Sequence, residues 1–494
     1  MFQIEIINNT SKKYIKSNNK GINIIKMEYD KTIKEVKEDF EKSIIPGLSE
    51  YIKIDNLSPN YDPEWQTNGK LEKAGNHLLN WAKSQGVKGL KGELVEEKGR
   101  TPLIFLEIEP QGSDKNILLY GHFDKQPHLG TWAEGLHPTK PVIKNGNLYG
   151  RGASDDGYAI FAIVESIKAI QQQGGKHGKI CVTVEGGEES GSPDLIYYLK
   201  KLSSRIGTPD LMVCMDSGCK DYEAIWLTTS LRGVCVVDLA VECLTESVHS
   251  GSGSGIAPDS FSVMRQLLDR LDDSKTGKVL APISVEIPPY RVEDAKKLAA
   301  LQKEKVVTEV VKLSQGVKAL SDDHAEIILN NTWRPTVVVT GMTGFPVAET
   351  AGNVLRDKTT CRLSIRLPPT MDCKKAQDIV CEILRKDPPF NAKVTVMPQQ
   401  AGNGWAAKDL CEPLKKSINA SSNKLFGKDY YNCGEGGSIP FINSLAELFP
   451  KCEIIVTGVL GPESNAHCLN ECLNLKFTQE MIVTLAHAIH DYCA

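Results

Sequence analysis

The sequence predicts an α/β protein: a mostly parallel sheet covered by helices, with a smaller α+β unit inserted into the chain. Three observations predict this. Short apolar runs alternate with segments of helical period between residues 101 and 215, the pattern of a sheet with helices on its faces. Near Leu231 that alternation gives way to a mixture of strand-like and helix-like segments. The α/β pattern then resumes with an apolar run at Glu453–Thr457 and a closing helix at Thr478–Tyr492.

Residues 1–28 are rich in Asn, Lys and Ile and show no clean period, so they are expected to be an N-terminal extension. From Asp30 the spacing predicts an amphipathic helix that ends near Pro46-Gly47. A second helix is expected over Lys70–Ser84. Residues 101–108, Asn116–Tyr120, Lys179–Val184 and Leu211–Met215 are short apolar runs and are expected to be strands. Ala159–Gln171 has helical spacing, and Pro193–Leu202 has a proline suited to a first helical turn. Further on, Val234–Glu242, Thr336–Thr340, Thr360–Leu367 and Ala392–Met397 are strand-like. Ser260–Leu271 and Lys374–Leu384 are helix-like, and Glu286–Leu329 is charged and helical. The expected units are a discontinuous α/β domain, 29–231 with 398–494, and an inserted α+β unit at 232–397.

Composition narrows the function classes. The formal net charge of -4 and pI near 6.3 give no basic surface for a nucleic-acid partner. No run approaches the roughly 18 consecutive apolar residues of a membrane span. The first residues, MFQIEIINNTSKKYIK, lack a secretory pattern, and the 14 cysteines are scattered, so reduced thiols in the cytoplasm are expected. His467-Cys468 with Cys472 resembles half of a structural zinc site, but no second pair accompanies it.

Ligands of an open α/β sheet gather beyond the carboxyl ends of its strands. The run Asn116–Tyr120 ends in Gly121-His122-Phe123-Asp124. Residues two apart in an extended segment point the same way, and a carboxylate beside a metal-binding imidazole orients it through the second ring nitrogen. His122 and Asp124 thus suit a ligand and its helper. Residues 150–157 place Asp155 and Asp156 at a Gly-rich turn before a helix. Either acid could cap that helix; Asp155 could instead span two cations. Glu188 and Glu189 follow the Lys179–Val184 run, and adjacent carboxylates repel unless cations or protons offset them. Such a pair suits one metal ligand beside one proton shuttle. Asp216 ends the Leu211–Met215 run, and His467 closes a loop after the last strand. A mixed His/carboxylate set suits Zn²⁺ or Mn²⁺.

On these motifs the chain resembles the di-metal aminoacylase/carboxypeptidase peptidases, and within them the carnosinase-like cytosolic dipeptidases. The pieces that bear the resemblance are YGHFDKQP, LYGRGASDDGY, EGGEESGS, VHSG, LSIRLPP, GEGGSIP and GPESNAH, spread from about Asp30 to the C-terminus. The resemblance implies two divalent ions per chain. Asp155 would bridge them, His122 and Asp216 would complete one site, and Glu189 and His467 the other. Glu188 would be the general base and then the acid, and Asp124 would orient His122. His249 would reach the active site of a second subunit, which implies a homodimer through the inserted unit. Arg366, Gly437 and Ser438 would grip the carboxylate end of a small peptide substrate, a contact that suits arginine.

The chain departs from the pattern in two places. It has Gly434 where the similar dipeptidases carry Arg, and residues 350–358 differ from the animal enzymes. Both departures bear on substrate preference and leave the metal set untouched. The expected function is hydrolysis of dipeptides or short peptides with a free C-terminal carboxylate. The alternatives are an N-acyl-amino-acid deacylase of the same superfamily and a non-catalytic binding protein on this fold.

Overall fold

The computed structural model describes residues 27–437 and 440–494. The expected extension over 1–28 therefore lies almost wholly outside the described residues, and Ser438 lies outside them too.

The strands that matter for the site are β1 (Leu90–Val95), β2 (Leu103–Ile108), β3 (Gly112–His122), β4 (His177–Glu185), β5 (Leu211–Cys214), β6 (Trp226–Leu231), β7 (Gly233–Glu242), β8 (Thr336–Thr343), β9 (Lys358–Leu367), β10 (Lys393–Gly402), β11 (Tyr431–Glu435) and β12 (Glu453–Val456). The larger sheet has six strands in the order β1-β2-β4-β3-β5-β12. Strands β4, β3, β5 and β12 are parallel neighbours, and β2 runs antiparallel to both β1 and β4.

The central strands are apolar throughout because both faces are covered. Ile117 and Leu119 of β3 pack with Ile160, Ile163, Ile482 and Ile489, from the helices Tyr158–Gln172 and Leu475–Cys493. The alternate residues Leu118 and Tyr120 join Leu195, Leu199, Phe441 and Leu445, from the helices Leu195–Lys201 and Pro440–Leu448. The register sets His122 opposite Glu185 and Tyr120 opposite Cys214, so β3, β4 and β5 end at the same edge.

A second sheet is four-stranded and antiparallel, in the order β8-β9-β7-β10. Its strands alternate as a one-faced sheet should. Cys235, Val237, Leu239, Leu363, Ile365 and Leu367 pack with Val263, Leu267, Val380 and Leu384 of two helices, Ser260–Leu268 and Cys373–Arg385. The opposite face is polar, with Arg362 bonded twice to Asp238 at 2.7 and 2.8 Å. Strand β8 is an edge, and Val338, Val339 and Met342 on it are exposed. Strands β6 and β11 pair in parallel, with Trp226 stacked 5.1 Å from Tyr431.

Some expectations change. The first helix does not end at Pro46-Gly47; helical backbone runs from Tyr29 to Ile52. A π turn at Phe40–Ile44 precedes Pro46, which sits in the first turn of the next segment, where its missing N–H costs nothing. Strands β1, β6 and β11 were not anticipated, since each is short and weakly patterned. The helical stretch expected at Glu286–Leu329 divides into Pro289–Gln302, Lys305–Thr308 and a helix that starts at His324, with irregular chain between the last two. All 14 cysteines are free of disulfides.

Candidate metal centre

The site forms where the parallel strands end. His122 is the last residue of β3, and its side chain is buried. Its Nδ1 lies 3.4 Å from Asp124 Oδ1, and its Nε2 lies 3.2 Å from Asp155 Oδ1 and 3.9 Å from Asp216 Oδ2. The other carboxylate oxygen of Asp155 lies 3.0 Å from His467 Nε2, which is also 3.2 Å from Glu189 Oε2. Each Asp155 oxygen thus faces a different imidazole. His122 also makes a cluster with Glu188 and Asp216, with ligand atoms all within 4.8 Å of one another.

Asp124 does more than face an imidazole. Its Oδ1 accepts the backbone N–H of Glu188 and its Oδ2 that of Glu189, both at 3.0 Å. One buried carboxylate therefore lies against the imidazole and fixes the turn that bears both glutamates. Gln126 Nε2 donates to Glu189 Oε2 at 2.5 Å.

The electrostatics show what is missing from a set of side chains alone. Burial, reinforced by Asp216, pushes the Glu188 carboxyl well above the usual carboxylate range. Burial and the neighbouring Asp155 raise Glu189 to about 7. Burial raises Asp216 to about 6. The bonds to Asp155 and Glu189 push His467 up to about 11. For Asp155, burial acts to raise the carboxyl, but His122 and His467 outweigh it and hold it below the usual range. These side chains by themselves must take up protons to coexist, and bound cations would supply that positive charge instead. Glu189 Oε1 is also buried with no hydrogen-bond partner. The residues fit divalent cations.

Two acids have roles in the site that the sequence did not announce, Asp156 having been expected at most as a cap. Asp156 is no mere helix cap: it is buried, and its Oδ2 accepts the backbone N–H of His122 at 3.1 Å. Glu471, wholly buried, holds the turn that presents Asp155. It accepts from Arg151 Nη1 at 2.8 Å, Gly152 N at 3.0 Å, Ser154 N at 3.0 Å, Ser154 Oγ at 3.2 Å and Asp155 N at 3.1 Å. Its position, beyond the last motif and just before the closing helix, gave no local signal. Gly152 has φ +80°, and a Cβ there would meet Lys125 Cε at 2.6 Å. Lys125 is buried beneath that turn and donates to the carbonyls of Tyr51 at 3.0 Å and Ile54 at 2.7 Å.

A cavity of about 570 Å³ opens beside the centre, lined in part by Asp155, Glu188, Asp216, Lys220, Glu435, Gly437 and His467. Gly437 therefore lies in the cavity wall, its carbonyl accepting from Arg232 N at 3.1 Å. Arg366 sits on β9 opposite Val234 and Thr336, half-buried, on the polar face of the second sheet. His249 is exposed on the second unit and accepts from Gly251 N at 3.1 Å; none of its described contacts is with the metal centre. Gly434 has no room for a side chain, because a Cβ there would lie 2.5 Å from Ser230 Oγ and 2.8 Å from Thr332 Cβ. The half zinc motif does not assemble: Cys468 is exposed, and Cys472 Sγ donates to the Glu463 carbonyl at 3.3 Å.

Comparison with known proteins agrees with this geometry. The family model described as peptidase family M20/M25/M40 matches residues 118–491. A cysteinylglycine-S-conjugate dipeptidase of Corynebacterium striatum is 27% identical over 401 residues, covering 78% of this chain and 82% of that protein. The Cys-Gly metallodipeptidase DUG1 of Saccharomyces cerevisiae is 28% identical over 403 residues, covering 79% of this chain and 82% of that protein. The solved structure of the dipeptidase Dug1p from Saccharomyces cerevisiae superposes with a TM-score of 0.68 at 21% identity, covering 94% of this chain and 98% of that one. Human carnosine dipeptidase 1 gives a TM-score of 0.67 at 20% identity over the same shares, 94% and 98%. No helix among the described residues is long and apolar enough to cross a membrane. The span of the family match, over a sheet edge that gathers histidines and carboxylates, makes this chain a member of peptidase family M20/M25/M40 and a metal-dependent hydrolase.

Proposed function

We propose that this protein hydrolyses dipeptides or short peptides with a free C-terminal carboxylate, at a centre holding two divalent cations. The observation behind this reading is the Asp155 carboxylate, whose two oxygens face His122 and His467 separately. His122, Asp155 and Asp216 would hold one ion, and Asp155, Glu189 and His467 the other. Zinc or manganese suits this donor set. The ions would supply the positive charge that acidifies an attacking water and steadies the oxyanion.

The side chains do the rest. Glu188 accepts the proton of the attacking water on its carboxylate and returns it to the departing amine. Burial raises the affinity of that carboxylate for the proton it takes up. Asp124 orients His122 and, through two backbone N–H groups, keeps Glu188 aimed into the cavity. Arg366, Gly437 and Ser438 would receive the substrate's carboxylate end.

In this reading the catalytic domain comprises 29–231 and 398–494, and residues 232–397 form a lid through which two copies dimerise. The exposed apolar edge strand β8 supports that, as does His249, which is exposed on the inserted unit. Cysteines without disulfides support a cytoplasmic setting.

The test is Glu188→Gln with metal analysis. Turnover of a dipeptide should fall by about 10²–10⁴-fold while two ions per chain are retained. Loss of an ion together with activity would make Glu188 a ligand, as its cluster with His122 and Asp216 allows.

A further inference from the structure

Beyond the metal centre, Lys220 and Glu435 add two further charged groups to the described wall of the cavity. Lys220 Nζ donates to Glu435 Oε1 at 2.5 Å. The two residues arrive from separate elements. The chain leaves β5 through Ser217 and Cys219, which are tied to Leu460 by backbone bonds at 3.3 and 3.0 Å, and Lys220 follows. Glu435 is the last residue of β11, next to Gly436, whose carbonyl accepts from Arg232 Nε at 3.1 Å. Both partners are thus held by fixed backbone.

The pair is not sealed off. The side chains of Lys220 and Glu435 are 28% and 30% exposed, so a ligand in the cavity can reach both. An ammonium group has N–H donors beyond the one given to Glu435, and a carboxylate has a second oxygen. A substrate group bearing only a positive charge would attract Glu435 and repel Lys220. One bearing only a negative charge would do the reverse. A group bearing both can lie antiparallel to the pair and satisfy each member.

We propose that the Lys220–Glu435 ion pair sets substrate preference, selecting peptides whose N-terminal residue is acidic. Such a residue brings an α-ammonium for Glu435 and a side-chain carboxylate for Lys220. This rests on the hydrolytic reading above, in which the C-terminal carboxylate goes to the side of Arg366. The pair does not touch the reacting atoms; it orients the acyl half of the substrate.

The experiment compares kcat/KM of the zinc- or manganese-loaded protein on Glu-Ala, Ala-Ala and Lys-Ala. Glu-Ala should exceed Ala-Ala by about tenfold, equivalent to about 1.4 kcal/mol, and Lys-Ala should be the poorest. Lys220→Met and Lys220→Gln should each bring the Glu-Ala to Ala-Ala ratio close to one. A wild-type ratio near one, or a ratio unchanged in both variants, overturns the proposal. Binding of the same peptides to metal-loaded Glu188→Gln, followed by calorimetry, reads the preference without turnover. Tighter Glu-Ala binding there, with no hydrolysis by the wild type, would sink the hydrolytic reading and uphold the pair as the reader of charge. Equal binding of Glu-Ala and Ala-Ala there would overturn the proposal whatever the rates.

Discussion

Glu471 shows how much of a metal centre lies outside its ligands. Its carboxylate gathers the guanidinium of Arg151 and the backbone of residues 152–155, so the turn bearing Asp155 is held by one buried charge. Charge-assisted bonds of this kind are about twice as strong as neutral ones. Glu471→Gln keeps the shape, removes the charge and replaces an acceptor oxygen with an amide NH2 group, a donor that faces other donors. Metal affinity, measured by competition with a chelator, should fall by about 10–100-fold. Unchanged affinity would reduce Glu471 to a purely structural part. Among single residues, the sequence made His122, Asp155, Glu188, Glu189, Asp216 and His467 legible because each follows an apolar run or a Gly-rich turn. Glu471 and the helper role of Asp156 were not legible, because their partners lie far along the chain or are backbone atoms. The departure at Gly434 has a physical reason: Ser230 and Thr332 occupy the space that a side chain would need.

Elements were legible in proportion to their local pattern. Lys70–Ser84 forms as expected, the strands β3 and β4 contain the predicted apolar runs, and β5 stops one residue short of its run, at Cys214. The first helix outlasted its proline because a wider π turn absorbed the break before Pro46. Strand β8 raises a separate expectation. An edge strand with exposed Val338, Val339 and Met342 is a template for pairing unless something covers it. If that cover is a second copy, Val339→Glu with Met342→Glu should halve the mass measured by light scattering. Dipeptidase activity should fall with it if His249 acts, as proposed, in the site of a second copy. An unchanged mass would remove β8 from the dimer interface.

At the scale of the whole molecule, the two sheets arise from chain segments that interleave: β12 joins the first sheet after β7–β10 have formed the second. The metal centre likewise draws on segments from residue 122 to residue 467, so bound ions would couple its sheet edge to the C-terminal loop. Cations that bind only the folded state stabilise it by mass action, by about 2.7 kcal/mol at a hundredfold excess over Kd. Chelation should therefore lower the thermal midpoint and abolish turnover together. Titration with Zn²⁺ or Mn²⁺ should restore both, with saturation at two ions per chain. Full activity and an unshifted midpoint after complete stripping would sink the two-ion reading.

The sequence by itself determined the fold class, the strand-end placement of the histidines and acids, and the chemistry such a set suits. These follow from local rules: apolar periodicity makes strands and helices, and a residue just past a strand is delivered to the sheet's edge. Only the tertiary structure decided that each Asp155 oxygen faces a different imidazole, that Glu471 holds the turn some 316 residues away, and that Lys220 meets Glu435 across 215 residues. Those contacts depend on which loops the packed core brings together, and a long-range pairing between buried charges leaves no period in the chain that would announce it.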